Sequence, residues 1–187
     1  MNWHKSRLIL VICCSITIFS VGFALTQHIY YAFYAKGSYP IIRHKYIPQA
    51  IGKPLPEARL VDVSGNFLQD NELRRGKVIL VLLSSECEAC LKDGQFLKAV
   101  ISKYSNIRFY GALLFWSEIT VDHIEDKFPM KLFYDQDALL RHGLGVKSTP
   151  MKIYLEDGDV KKVWVGTPIT PQAESAFIKE IDEISSK

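Results

Sequence analysis

Cys87 and Cys90 stand two residues apart in Ser84-Ser85-Glu86-Cys87-Glu88-Ala89-Cys90-Leu91, directly after the apolar run Val78–Leu83. Such a pair suits half a zinc site, a haem attachment point, a structural bridge or a redox dithiol. Structural zinc needs two more ligands at matching spacing. The other cysteines, Cys13 and Cys14, lie in an N-terminal apolar stretch, and His123 and His142 are 19 positions apart. Neither supplies a close second pair. Covalent haem needs His directly after the second cysteine, where Leu91 stands. A bridge that closes so short a loop constrains the unfolded chain little, so stapling is a poor reason for it. Ser84 stands three before Cys87, as in peroxiredoxins, but Leu80 occupies the place of their proline. Copper chaperones of the Sco type have a three-residue gap between their cysteines. A redox dithiol is the chemistry left.

Position explains that chemistry. A strand whose loop opens a helix puts Cys87 at the helix N-terminus, where unpaired N–H groups and the macrodipole stabilise a thiolate. Cys87 is then the attacking sulfur. Cys90, one turn further on, is less exposed and resolves the mixed disulfide. Asp93 falls three residues after Cys90 and four before Leu97, on the face of the resolving sulfur and the apolar stripe. That placement predicts a desolvated carboxylate with a raised pKa; a tilted helix would instead leave it in water, complementing the dipole.

The elements that must position these residues follow from punctuation and periodicity. Arg59–Val63 and Phe67-Leu68 form a hairpin about Ser64-Gly65-Asn66, and Val78–Leu83 has the continuous apolarity of a strand covered on both faces. A helix over 88–104 carries the stripe Cys90, Leu97, Val100, Ile101 and Tyr104. Strands follow at Ile107–Phe115 and Lys131–Tyr134, with helices at Val121–Lys127 and at Asp137–His142, the latter ended by Gly143. Met151–Leu155 and Val160–Val165 pair across Glu156-Asp157-Gly158-Asp159, and Thr170 caps a last helix that starts at Pro171 and buries Phe177, Ile181 and Ile184. This alternation implies an α/β fold with a mixed sheet flanked by helices.

The chain of 187 residues holds one ordinary domain plus accessories. Its formal charge of +3 comes from scattered Lys and Arg with no basic stripe among aromatics, which excludes a nucleic-acid surface. Leu8–Leu25 is uncharged for 18 residues and leads into Tyr30, Tyr31, Phe33 and Tyr34, an interfacial belt. Lys5 and Arg7 precede it, so the positive-inside rule predicts a single-pass anchor in the cell membrane with the C-terminal part outside the cytoplasm. Gly22-Phe23-Ala24 offers the competing reading of a cleaved signal peptide. Cys13 and Cys14 read as apolar filler, with palmitoylation as the alternative. The domain scheme is a cytoplasmic tail over 1–7, an anchor over 8–27, a spacer over 28–50 and a folded domain over 51–187.

That domain resembles the thioredoxin-fold TlpA/ResA-like group of membrane-anchored thiol-disulfide oxidoreductases. The residues that carry the resemblance are Ile51-Gly52-Lys53-Pro54, Leu73-Arg74-Arg75-Gly76-Lys77-Val78, Cys87-Glu88-Ala89-Cys90, and Gly145-Val146-Lys147-Ser148-Thr149-Pro150 with Asp157-Gly158 beyond. It implies catalysis by Cys87, Cys90 and Asp93, with Asp93 exchanging a proton with Cys90. It also implies that Pro150 is a cis-proline facing the dithiol, with Thr149 offering backbone hydrogen bonds to a bound peptide; unaided, Thr149-Pro150 says only that a proline starts a strand. No cofactor and no metal are implied. The implied partners are client proteins with paired cysteines, an apocytochrome c among them, and a membrane thiol-electron donor. The chain departs from the group at Glu86, where members usually carry Trp, and at Leu82-Leu83-Ser84-Ser85. Glu86 and Glu88 read singly as solvated loop charges; together they would disfavour a thiolate and push the couple towards the reducing side. The contrasting function is a non-catalytic thioredoxin-like module whose groove only docks a partner.

Overall fold

A computed structural model describes Gly22 and residues 50–115 and 125–186. Gly22 apart, the expected anchor over 8–27 lies outside these residues, as do the aromatic belt, Cys13 and Cys14, and nearly all of the spacer. Among the described residues no helix is long and apolar enough to cross a membrane.

The chain runs β1 (Leu60–Val61), α1 (Asp70–Leu73), β2 (Lys77–Ser84), α2 (Glu88–Lys103), β3 (Arg108–Phe115), a 3-10 turn (Glu125–Lys127), β4 (Lys131–Asp135), α3 (Leu139–Leu144), β5 (Met151–Glu156), β6 (Asp159–Val165) and α4 (Pro171–Ser186). The strands form one sheet in the order β1-β4-β3-β2-β5-β6. β2 pairs in parallel with β3, and β3 with β4; β1, β5 and β6 join antiparallel. The sheet is mixed, as expected. β2 lies inside it, and residues 78–83 are buried without a break because both faces are covered.

Side-chain alternation sorts the core into two layers. Ile79, Val81 and Leu83 face α2 and α4, meeting Cys90, Leu97, Val100, Phe177, Ile181 and Ile184. Val78, Leu80 and Leu82 face the other way, onto Leu73 of α1 and Leu140 and Leu144 of α3. In β5 the same rule sends Met151, Ile153 and Leu155 to the α1/α3 layer and Tyr154 to the α2/α4 layer. Lys152 shares the parity of Tyr154.

Local chemistry sets the joints. The β5–β6 turn narrows to Asp157-Gly158, both at positive φ (51° and 86°), as a two-residue hairpin requires. Thr170 Oγ1 accepts from the Ala173 N–H at 3.2 Å, opening α4 at Pro171 as predicted. Three readings are corrected. The helix expected over Asp137–His142 begins two residues later, because the Asp135 carboxylate accepts from the Leu140 and Arg141 N–H groups at 3.2 and 2.8 Å. It ends at Gly145 (φ 64°) rather than Gly143, which is occupied by close approach to Pro56. The return of the first hairpin shrinks to a single bridge, Val61 to Phe67. Of the helix expected over Val121–Lys127, the described part is the 3-10 turn Glu125–Lys127; the remainder, with His123, lies outside the described residues.

Candidate functional site: the Cys87–Cys90 pair and what lies beneath it

β2 ends at Ser84, and Cys87 is the N-cap of α2. The cap geometry aims the Cys90 N–H at Cys87 Sγ, 3.1 Å away. That donor and the helix dipole both favour negative charge on Cys87. The two cysteines are joined as a disulfide with a Cα–Cα separation of 5.2 Å. Cys87 is half-buried, whereas Cys90 is fully buried in the α2/α4 layer. An incoming group therefore meets Cys87 first.

The peptide bond Thr149–Pro150 is cis, and Pro150 is buried where the chain enters β5. Cys87 Sγ lies 3.6 Å from the Thr149 carbonyl oxygen, within reach of an S–H donor once the disulfide is reduced. The Pro150 carbonyl accepts from the Gly166 N–H at 2.8 Å, and Thr167 Oγ1 donates to the Ala89 carbonyl at 2.8 Å. The loop between β6 and α4 thus bridges the dithiol turn and the Thr149-Pro150 segment. Thr167 was missed in the sequence, where nothing marks it out from other loop threonines.

Asp93 lies where its spacing put it, on the inner face of α2, with no exposed side chain. The solvent-facing alternative is overturned. Its partner is Lys152 of β5, equally buried, whose Nζ is 2.6 Å from Asp93 Oδ1 and donates to the Gly166 carbonyl at 3.0 Å. Burial pushes the Asp93 carboxyl up from its ordinary range, and the Lys152 ammonium opposes that shift. Burial likewise pushes Lys152 down against the pull of Asp93. Both shifts have one cause, loss of water around a charge. Lys152 was also missed. Its burial follows from β5 lying between β2 and β6, which the residues around it do not announce.

The glutamates around the pair differ. Glu86 is exposed. Glu88 pairs with Lys92 at 2.8 Å, one turn along α2, and this ammonium lowers its pKa. The two glutamates therefore do not act on Cys87 as an unopposed pair of charges, and the account of each as a solvated charge fits them better.

No protein-family model matches this chain, and no curated protein sequence matches it. Solved structures do. MTB dsbF, in its mixed oxidized and reduced forms, superposes with a TM-score of 0.58 at 15% identity, over 70% of this chain and 96% of that one. A thiol:disulfide interchange protein from Bacteroides sp. gives 0.58 at 14% identity, over 74% and 91%. The thioredoxin domain of a thiol-disulfide oxidoreductase from Bacteroides vulgatus gives 0.56 at 16% identity, over 71% and 97%. The likeness is one of fold: a thioredoxin-like mixed sheet with flanking helices, which here carries a bonded cysteine pair at the start of α2.

Proposed function

We propose that the protein is a thiol-disulfide oxidoreductase of exported proteins, held to the cell membrane by its N-terminal segment with the folded domain outside the cytoplasm. Cys87, reduced, attacks a disulfide of a client; Cys90 then attacks Cys87 and frees the client as a dithiol. The observation that carries this reading is the asymmetry of the pair. One sulfur is half-exposed at a helix N-terminus with an N–H aimed at it, and the other is buried behind it. A staple needs no such difference.

Thr149 and Pro150 supply the adjoining edge on which a client's backbone rests, next to Cys87. Clients are proteins with paired cysteines, apocytochrome c included, and a membrane thiol-electron donor restores the dithiol. The names of the solved neighbours support the chemistry; the uncharged run Leu8–Leu25 behind Lys5 and Arg7 supports the topology.

The test is to trap clients. Cys90→Ser leaves Cys87 free to attack but removes the resolving thiol, so mixed disulfides should accumulate in the host membrane and dissolve on reduction. Thiol titration of the parent accompanies it. A Cys87–Cys90 bond that mild reductant leaves closed, together with an empty trap, would make the protein a docking module instead.

A further inference from the structure

Lys152 is a fully buried lysine in a strand paired on both sides. It sits in β5 in register with Val81 of β2, between two paired strands, and its side chain enters the α2/α4 layer with no exposed surface. A buried ammonium is costly unless it is paired and hydrogen-bonded. Here it contacts the one buried carboxylate of α2. Asp93 in turn follows Cys90 by three residues on the same helical face. Both of its oxygens are sealed from solvent and, the Lys152 ion pair aside, are without a well-formed hydrogen bond.

Among the described residues, the other groups packed around the pair offer no competing charge. The β6–α4 loop presents the Gly166 carbonyl to Lys152, while the Thr167 hydroxyl beside Asp93 gives its proton to the Ala89 carbonyl. From α4 comes the Phe177 ring, 5.7 Å from Lys152 Nζ. Glu180 of α4 is taken by the Trp164 indole and by Lys162, and Asp182 by Tyr104 and Lys103. In β5 the Tyr154 hydroxyl donates to Glu156. Among the described residues, Lys152 is therefore the cation on which the charge state of Asp93 depends.

We propose that Lys152 is a positioning residue for the thiol chemistry: it holds Asp93 as a carboxylate beside Cys90, in which form Asp93 accepts the Cys90 proton. The inference rests on the dithiol reading above and extends it to a residue outside the dithiol, the groove and the carboxylate. In the step concerned, the Cys90 thiol gives its proton to Asp93, and the Cys90 sulfur attacks Cys87 in the mixed disulfide. The Cys87–Cys90 bond forms as the bond from Cys87 to the partner breaks. The partner leaves as a thiolate with the electron pair, and Asp93 later yields its proton to water. Without Lys152, Asp93 would already be protonated in its dry surroundings and could accept nothing.

Single-turnover closure tests this without any client. The full chain, carrying Cys13→Ser and Cys14→Ser so that only the pair reacts, is reduced and mixed with the aromatic disulfide 5,5′-dithiobis(2-nitrobenzoate). A first burst of coloured thiolate reports attack by Cys87, and a second reports closure by Cys90. Lys152→Met should leave the first phase alone, slow the second by about tenfold or more near neutral pH, and move its acid limb to higher pH. Asp93→Asn should slow the second phase similarly, and the double variant should be no slower than Asp93→Asn. Parent-like closure with a parent-like pH profile in Lys152→Met would overturn the proposal. So would a double variant slower than Asp93→Asn by the full Lys152→Met factor. If Lys152→Met does not fold, the double variant, which leaves no charge unpaired, decides against Asp93→Asn alone. Absence of both phases in the parent would sink the dithiol reading instead.

Discussion

Lys152 Nζ and Asp93 Oδ1 meet at 2.6 Å, and neither side chain reaches solvent. The contact joins a strand to the helix that starts at the cysteine pair, so its stability consequences can be separated from its chemistry. A buried ion pair is not strongly stabilising overall, since desolvation offsets much of the attraction, but removing one partner strands the other. Lys152→Met leaves Asp93 with a folded-state pKa above its unfolded one. For a carboxyl shifted upward, stability is fully present below the unfolded pKa and is lost as pH rises through the folded one. The variant should therefore be most parent-like in acid and lose about 1.4 kcal/mol per pH unit above the unfolded carboxyl range until Asp93 ionises. Urea unfolding at several pH values measures it. A pH-independent loss would mean that Lys152 contributes packing alone.

Asp93→Asn exposes the opposite member. Lys152 then sits buried without its counter-ion, so the substitution should destabilise the domain by about 3 kcal/mol near neutral pH. The stranded lysine has a folded pKa below its unfolded value, which puts full stability above the unfolded pKa and loss as pH falls. Recovery should therefore appear as pH rises. The double variant Asp93→Asn/Lys152→Met should be close to the parent. Unfolding midpoints that are additive across the two substitutions would contradict the pairing.

How far the sequence showed this site depends on which rule governed each residue. Cys87 and Asp93 follow from short-range geometry, a strand-loop-helix joint and an i, i+3 spacing, and the structure finds both positions as read. The apolar run of β2 and the Asp157-Gly158 turn were equally legible, because each is specified within a few residues. Lys152 was not. Its burial depends on β5 lying between β2 and β6, a long-range arrangement that Met151-Lys152-Ile153 does not state. The end of α3 failed for a related reason. Gly143 looks like a cap, but a Cβ there would lie 2.6 Å from Pro56, and the positive φ falls at Gly145.

The difference between the cysteines can be read directly. In the reduced protein at neutral pH, Cys87 should be alkylated faster than Cys90, by at least about tenfold given its exposure and the N–H aimed at it. Cys87→Ser should abolish reduction of a model disulfide. Mass mapping of alkylated peptides after brief exposure to iodoacetamide gives the ratio. Equal rates would remove the basis for calling Cys87 the nucleophile.

Topology has its own test. If Leu8–Leu25 is retained as an anchor, intact mass of the protein purified from membranes should include residue 1, and residues 36–187 should be open to protease from the outer face. A mature N-terminus near Thr26 would show a cleaved leader instead.

Gly94 tests how tightly the helix beneath the dithiol is seated. It follows Cys90 by four residues, and a Cβ built there would lie 2.8 Å from Phe128 Cδ1 and 3.1 Å from the Lys127 carbonyl oxygen. In an open helix, Gly94→Ala would gain about 1 kcal/mol from propensity. Here the methyl group must displace a buried phenyl ring and the backbone of the 3-10 turn at once, and overpacking of that kind costs about 1–3 kcal/mol. The overlap with carbonyl backbone is the harder part to relieve, since the ring can rotate and the turn cannot. A net loss of up to about 2 kcal/mol is expected. Chemical denaturation of the variant measures it, and a gain in stability would show that α2 can lift away from Phe128, carrying Cys90 with it.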